Sequence, residues 1–284
     1  MPRRYVHSEP TSRLAIWARR MAGFAFVASV LAVVIVRSGL LEIRPALATF
    51  GGALVFAVVA LVLALAALVV IWREGLAGLG AALAAIAISL ALLAYPAYLA
   101  TKAHRLPLIY DITTDPIDPP RYEALARLRP RDANPITYPG LYAAEQQRHG
   151  YPDIGPMGTN ASLQSTYDAV LGVVNKRKWR VVDARPPQAG RREGHIEAVA
   201  RTPIMGFRDD VVIRVRAETD GTRIDARSSS RYGPFDFGAN ASRLRSLMND
   251  IEDAIRAQKP ERPPPPPPAP AKKGAAGKKD QPKR

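Results

Sequence analysis

The chain contains no cysteine among its 284 residues. This absence excludes disulfide bonds, thiolate nucleophiles and zinc sites built on cysteine. It leaves the compartment open, because proteins of oxidising compartments need not contain cysteine.

Motifs that mark common enzymes and cofactor sites are also missing from the sequence. The four histidines, of which His195 lies in the most regular part of the chain, do not have the spacing of a metal-binding motif. The serines at 228–230 lack the G-x-S-x-G turn of a nucleophilic serine, and no glycine-rich phosphate loop is present. The sequence therefore predicts neither a metal site nor a bound cofactor.

The chain has 25 acidic residues against 40 lysines and arginines, and the resulting formal net charge of +15 is unevenly distributed along it. Much of the excess lies in residues 1–20 and 259–284, whereas the stretch from Thr101 to Gln258 is closer to balance. A folded nucleic-acid-binding domain concentrates basic residues on its own surface. Nucleic acid is therefore not an expected partner.

Three apolar runs, Met21–Leu41, Ala46–Trp72 and Gly75–Ala100, dominate the first third of the chain. A helix crosses a bilayer in about 20 residues, so each run is long enough to span a membrane and to have lipid as its partner. Charged residues lie at the flanks of the runs, which predicts anchoring rather than an ion path. Small residues, including Gly51 and Gly80, favour close packing of the three helices.

Lysine and arginine in the short connecting segments predict the orientation of the spans. Six such residues lie in residues 1–20 and at Arg73, on one side, against four on the other side. This asymmetry favours a cytoplasmic N-terminus. The predicted location is a bacterial inner membrane, crossed three times, with the chain after Ala100 in the periplasm. The alternative is a cleaved signal peptide ending at Ala46-Leu47-Ala48.

The composition divides the chain into five segments. Residues 1–20 form a basic cytoplasmic N-terminus, and residues 21–100 form the transmembrane region. Residues 101–150 are rich in proline and are predicted to be an extended segment that wraps on the next domain. Residues 151–258 are predicted to be an autonomous α+β domain. Residues 259–284 are predicted to be a disordered Pro/Lys-rich tail, either solubilising or attached to an anionic surface.

Hydrophobic periodicity predicts the elements of the soluble domain. Helical spacing over Ser162–Lys176 and a second helix beginning at Asn240 enclose four alternating segments. The predicted strands are Trp179–Asp183, His195–Thr202, Val211–Ala217 and Thr222–Ser230. The fold class is therefore α+β, with three transmembrane helices followed by a small antiparallel sheet in the order α-β-β-β-β-α.

The Asp220-Gly221 pair predicts a two-residue hairpin turn. That turn sets Arg216 opposite Asp225 and Arg214 opposite Arg227, on the face away from the helices. The like-charged pair needs an acid or an anion nearby. Two interpretations stay open: an internal acid supplied by Asp209, Asp210 or Glu197, or an anionic ligand such as a headgroup or a cell-wall carboxylate.

Four stretches of this chain resemble a known bacterial and plastid family. They are Asp111–Pro120 (DITTDPIDPP), His195–Thr202 (HIEAVART), Gly206–Arg216 (GFRDDVVIRVR) and Gly221–Asn240 (GTRIDARSSSRYGPFDFGAN). The family is DUF1499, and the resemblance spans about Pro107–Ala257. It implies a membrane-anchored member and supplies no activity.

Polar residues at the strand ends are the candidate binding residues. They are Asp209, Asp210, Arg214, Arg227, Arg231, Asp236 and Asn240. A structural interpretation has Asp236 and Asn240 capping the last helix and Arg231 pairing with Asp236.

The favoured function is a non-enzymatic inner-membrane protein that presents a periplasmic domain for binding or envelope organisation. Its partner would be an anionic envelope polymer or a membrane protein. The alternative is a membrane-anchored enzyme that acts on an envelope substrate through Asp209, Asp210, Arg231, Asp236 and His195.

Overall fold

The computed structural model of the chain describes residues 10–39, 43–188, 190 and 192–258. Its first three elements are the long helices α1 (Arg13–Ser38), α2 (Ile43–Glu74) and α3 (Leu79–Ala103), each long and apolar enough to cross a membrane. The predicted tail at 259–284 and the first nine residues of the basic N-terminus lie outside the described residues.

Small side chains hold the three helices together. The buried residues of α1 recur every three or four positions: Ala15, Ala18, Ala22, Ala25, Ser29, Ala32 and Val36. This heptad-like spacing of small residues lets neighbouring backbones approach closely. Alanine rather than glycine makes these contacts, since a Cβ added at Gly51 or Gly80 would meet no atom within 4 Å.

The rest of the described chain builds a six-stranded antiparallel sheet. Its strands are β1 (Asp111–Thr113), β2 (Met157–Thr159), β3 (Arg180–Arg185), β4 (Glu193–Arg201), β5 (Arg208–Glu218) and β6 (Gly221–Ser230). The order is β1-β6-β5-β4-β3, and β2 also pairs with β6. The helices are α4 (Ala124–Leu128), α5 (Leu141–Gly150), α6 (Leu163–Lys176) and α7 (Ala239–Ala257). The predicted α-β-β-β-β-α order is confirmed from α6 to α7.

Helices α6 and α7 cover one face of the sheet. The core between them contains alternate strand residues such as Ile196, Ile213 and Ile224, together with Leu244 of α7, all at most 1% exposed. Of the two candidate caps in the sequence, Asn160 and Ser162, the N-cap of α6 is Ser162, whose hydroxyl accepts a hydrogen bond from the backbone N–H of Ser165 at 3.3 Å.

The opposite face of the sheet is buried as well. The chain between β1 and α5 crosses this face, where Tyr122 and Leu125 pack on Val212. Arg227 and Asp225, expected to point outward, are therefore only 3% and 0% exposed. The alternation of apolar and polar residues predicts that this second face is exposed to solvent. In the structure it is a buried layer that contains ion pairs.

The turn between β5 and β6 consists of Thr219 and Asp220 rather than the expected Asp220 and Gly221, and this changes which residues face each other across the hairpin. Glu218 pairs with Gly221, so Arg214 lies opposite Asp225 and Val212 lies opposite Arg227. The expected Arg214–Arg227 pair is wrong. Gly221 begins β6 at a φ of 145° against the carbonyl of Thr159, a place without room for a Cβ.

The segment at 101–150 contributes to the sheet and to its core. Strand β1 pairs with β6, and Ile112 and Ala143 belong to the same buried cluster as the strands. The Gln147 side chain accepts the N–H of Thr113 at 3.0 Å and donates to its carbonyl at 2.6 Å. These contacts favour a folded unit that begins well before residue 151.

The loop at 202–207, between β4 and β5, contacts one end of the three long apolar helices. Nη1 of Arg37, at the end of α1, donates to the carbonyls of Pro203 at 2.6 Å and Ile204 at 3.0 Å. Met205 packs with Val36 of α1 and Ala46 of α2. One end of the sheet is therefore held beside the ends of α1 and α3 and the start of α2.

Candidate functional site

Arg227 is enclosed by partners from the segment that covers the sheet. Its Nε and Nη2 donate to the two carboxylate oxygens of Asp111 at 2.9 and 2.7 Å, and its guanidinium lies 4.7 Å from the ring centre of Tyr122. The carbonyls of Pro120 and Ile136 accept its remaining hydrogen bonds. Burial raises the pKa of Asp111, and Arg227 opposes that shift. Of the two interpretations left open by the sequence, these contacts favour an internal acid at Arg227, and that acid is Asp111.

Arg214 is paired as well, with acids other than those expected. Nη2 lies 3.1 Å from Oδ2 of Asp225, and Nη1 lies 2.9 Å from Oδ2 of Asp118. Neither Asp209, Asp210 nor Glu197 is the acid that supports the arginine. The reason is the shifted register, which places Asp225 directly opposite Arg214.

Asp210 is shared by two arginines. Arg231 donates to its Oδ1 through Nε at 2.9 Å and Nη2 at 2.7 Å, and Arg129 donates to its Oδ2 at 2.9 Å. The expected pair between Arg231 and Asp236 is therefore wrong, because Arg231 binds Asp210 while Asp236 accepts backbone N–H groups at the start of α7. A carboxylate with both oxygens in charge-assisted hydrogen bonds is suited to holding structure.

The remaining predicted residues form a network on the helix-covered face. Nη2 of Arg243 lies 2.5 Å from Asp209, and Asn240 accepts a hydrogen bond from Ser228 at 2.8 Å. Asp236 accepts the backbone N–H groups of Gly238 and Asn240, each at 2.8 Å. Asp236 therefore satisfies the first turn of α7, whose N-cap is Gly238 rather than Asn240. Burial raises the pKa values of Asp209 and Asp236.

A buried carboxylate that the sequence did not mark as a helix cap supports α4. Glu197 on β4 accepts the backbone N–H groups of Glu123, Ala124 and Leu125 at 2.8, 3.0 and 2.7 Å, and it lies 3.0 Å from Nε2 of His195. Burial raises the pKa of Glu197, but these hydrogen bonds outweigh burial and lower the pKa to about 2.

The same residues resemble a metal-binding group. Ligand atoms of Asp183, His195 and Glu197 lie within 4.8 Å of one another. Both oxygens of Glu197 already accept hydrogen bonds from the first turn of α4. A metal ion would have to compete with those bonds, so we assign the group a structural role.

A row of arginines marks the end of the sheet that lies near the three long apolar helices. Arg201 on β4 pairs directly with Arg208 on β5, and Arg231 follows the end of β6 on the same face. Arg180 on β3 pairs with Val199, two residues from Arg201. We call Arg180, Arg201, Arg208 and Arg231 the basic row.

The basic row encloses a cavity of about 220 Å³, lined also by Arg177, Lys178, Trp179 and Val199. None of the described residues that line it carries a carboxylate. Partial burial, followed by repulsion from Arg201, Arg231 and Arg180, lowers the pKa of Arg208. In the described part of the chain, no carboxylate oxygen lies within 4.0 Å of Arg180, Arg201 or Arg208. Arg201 donates instead to the carbonyl of Arg37, at the end of α1, at 3.1 Å.

Residues 111–251 match the family model described as "Protein of unknown function (DUF1499)". This part of the chain is a DUF1499 domain. Its limits agree with the packing, because Asp111 is the buried partner of Arg227 and Ile251 is a buried residue of α7. The DUF1499 domain thus includes β1 and the basic row, while the three long apolar helices precede it.

A search of curated proteins found no match to the chain. Among solved structures, the DUF1499 chain is similar to the vertebrate conserved region of human METTL16, at 10% identity over 36% of this chain and 97% of that one. The TM-score is 0.28, and a similarity at this level supports no inference about the chain.

Proposed function

We propose that this chain is a non-enzymatic, membrane-anchored protein whose DUF1499 domain binds an anionic component of the envelope through the basic row. The observation that carries the proposal is the direct cross-strand pairing of Arg201 with Arg208 beside a cavity without carboxylates. In this proposal the membrane is a bacterial inner membrane and the domain lies in the periplasm.

Uncompensated positive charge favours an anionic ligand at this place. Like charges directly opposite in a sheet are destabilising by roughly 0.2–1 kcal/mol. Arg201 and Arg208 form such a pair, whereas Arg231 is bound to Asp210. An anion between the guanidinium groups offsets that repulsion. Guanidinium groups also bind phosphate and carboxylate oxygens in a bidentate geometry, so the ligand class is a phosphate or carboxylate.

The helix connections support placing the domain opposite the N-terminus. Ser12 donates its backbone N–H to the carbonyl of Ala77 at 2.9 Å, so the start of α1 and the α2–α3 connection lie at the same end of the helices. That end carries the arginines of residues 13–20 and Arg73, which favours the cytoplasm. The DUF1499 domain follows α3 at the other end.

The enzyme alternative finds no specific support in the described residues. Asp209 and Asp210 are paired with arginines, and Asp236 is bound to backbone N–H groups. A general acid or base needs a carboxyl group that reaches a substrate. These three carboxylates hold the ends of strands and the start of α7 instead.

Titration of the full chain with inorganic pyrophosphate tests the proposal. In zwitterionic nanodiscs at low salt, calorimetry is expected to show binding that weakens as salt is raised. Arg208→Gln is expected to weaken it at least tenfold, since one strong charge-assisted contact contributes about 1.5–3 kcal/mol.

Arg245→Gln is the matched control for this experiment. Arg245 is an exposed arginine paired with Asp153 on the far side of α7, so its loss should leave pyrophosphate binding unchanged. Absence of binding to the unmodified chain, or equal loss in both variants, would contradict the proposal.

A further inference from the structure

A second cavity, of about 480 Å³, adjoins the one beneath the basic row. The two cavities share Arg177, Trp179 and Arg201 among their lining residues. The second cavity lies between the last turns of α3, the loop at 202–207 and the start of α7. We call it the membrane cleft.

The membrane cleft changes from apolar to cationic along its length. Tyr95 and Leu99 of α3 line it together with Phe207 of the loop at 202–207. At the end of α3 the lining residue is Lys102, and Arg201 of β4 lines the same cavity. The cleft therefore presents an apolar wall and a basic end, which is the pattern of an amphiphile with one anionic end.

Acidic groups do not neutralise the basic end. Among the described residues that line the membrane cleft, Asp236 is the carboxylate, and its two oxygens accept the N–H groups of Gly238 and Asn240. Arg201 donates through Nη1 to the carbonyl of Arg37 at 3.1 Å, and Lys102 lies 5.4 Å from the ring centre of Tyr98, so their partners among the described residues are a carbonyl and a ring rather than carboxylates.

The position of the cleft along α3 matches the depth of a lipid headgroup. Tyr95 and Tyr98 are 41% and 54% exposed near the end of a helix long enough to span a membrane. Tyrosine is enriched where the hydrocarbon meets the headgroups. Lys102 is seven residues beyond Tyr95, about 10 Å further along the axis, where a phosphate of the same leaflet would lie.

Unusual backbone conformations occur at both cavities. Phe237 and Lys178 are the non-glycine residues with positive φ in the described part of the chain, at 53° and 56°. Phe237 lines the membrane cleft and Lys178 lines the cavity beneath the basic row. Lys178 follows the C-cap of α6, where a left-handed residue is common, and Phe237 directly precedes the N-cap of α7, so the helix ends account for both conformations.

We infer that the ligand is an anionic phospholipid of the adjoining leaflet, with its phosphate at the basic row and one acyl chain in the membrane cleft. This inference rests on the proposed function and names its ligand class. The phosphate would contact Arg201 and Arg208, and the chain would leave past Leu99 toward the bilayer.

Native mass spectrometry of the full chain in neutral detergent tests this inference. Dioleoyl phosphatidylglycerol is expected to bind at least tenfold more tightly than dioleoyl phosphatidylcholine, which has the same chains without net charge. Leu99→Trp, which fills the cleft, should weaken phosphatidylglycerol binding about tenfold and leave pyrophosphate binding unchanged. Arg208→Gln should weaken both.

Leu90→Trp is the matched control, because Leu90 is a 53% exposed leucine of α3 outside the cleft and its substitution should change neither affinity. Pyrophosphate binding without a preference for phosphatidylglycerol would overturn the lipid inference and leave the proposed function standing. If the unmodified chain bound neither phosphatidylglycerol nor pyrophosphate, both the lipid inference and the proposed function would be overturned. The comparison of the two lipids on the unmodified chain decides the inference even if Leu99→Trp does not fold.

Discussion

A fragment that begins at Tyr151 and ends at Gln258 is expected to remain unfolded, whereas one that begins at Arg105 is expected to unfold cooperatively. The shorter fragment lacks Asp111, the partner of buried Arg227, and it lacks the α4 N–H groups that bind Glu197. An uncompensated buried charge costs about 3–5 kcal/mol, and a domain has only about 5–15 kcal/mol of stability in total.

Circular dichroism during urea titration distinguishes the two fragments. The fragment 105–258 should show one transition with the same midpoint in the near and far ultraviolet. The fragment 151–258 should show a gradual change without a transition. A cooperative transition in the shorter fragment would contradict the role assigned to β1 and Asp111, and it would restore the domain limit expected from hydrophobic periodicity.

Replacing Arg227 with glutamine is expected to lower the free energy of unfolding by about 3–5 kcal/mol. The substitution leaves the Asp111 carboxylate, 0% exposed, without its bidentate partner. The measurement is the urea midpoint of the fragment 105–258. This expectation is the reverse of the one that follows from an Arg214–Arg227 pair, for which stability would hold or rise.

Two variants serve as controls for Arg227→Gln. Arg216→Gln removes a guanidinium from the same face of the sheet, but its side chain is 28% exposed, so the loss should stay below about 1 kcal/mol. The double substitution Asp111→Leu with Arg227→Met removes both charges and should recover much of the lost stability. Equal midpoints for Arg227→Gln and the unmodified fragment would contradict the buried pair.

The elements of the DUF1499 domain were predictable because their signals are local. Apolar alternation marked the four long strands, and Ser162 marked the start of α6. The three-residue strands β1 and β2 have too few residues for a periodic pattern, and they form only by pairing with β6. Their existence depends on contacts that one segment of sequence does not contain.

The partners of the charged residues were not predictable from the same signals. Asp111 lies 116 positions before Arg227, so no spacing rule connects them. The pairing of β5 with β6 depends on whether Gly221 belongs to the turn or to β6, and the Asp220-Gly221 pair alone does not distinguish these two cases. The basic row had one local signal: Arg201 and Arg208 flank the loop at 202–207, and a hairpin there sets them opposite each other.

In the proposed arrangement, the end of the sheet that carries the basic row lies at the membrane surface. Because the chain has no cysteine, single nitroxide labels can be placed without other changes. One label replaces Ile204, which is 46% exposed in the loop beside α1 (Ile204→Cys). The other replaces Asp220 (Asp220→Cys), which lies past the opposite end of the 11-residue strand β5, about 35 Å away.

The most direct test of this placement measures, in nanodiscs, how often each label collides with oxygen and with a water-soluble nickel chelate. Oxygen concentrates in lipid, whereas the chelate stays in water. The structure predicts that the label at 204 collides with oxygen more than with nickel, and that the label at 220 does the opposite. Equal nickel accessibility at the two positions would contradict the placement of the domain at the membrane surface.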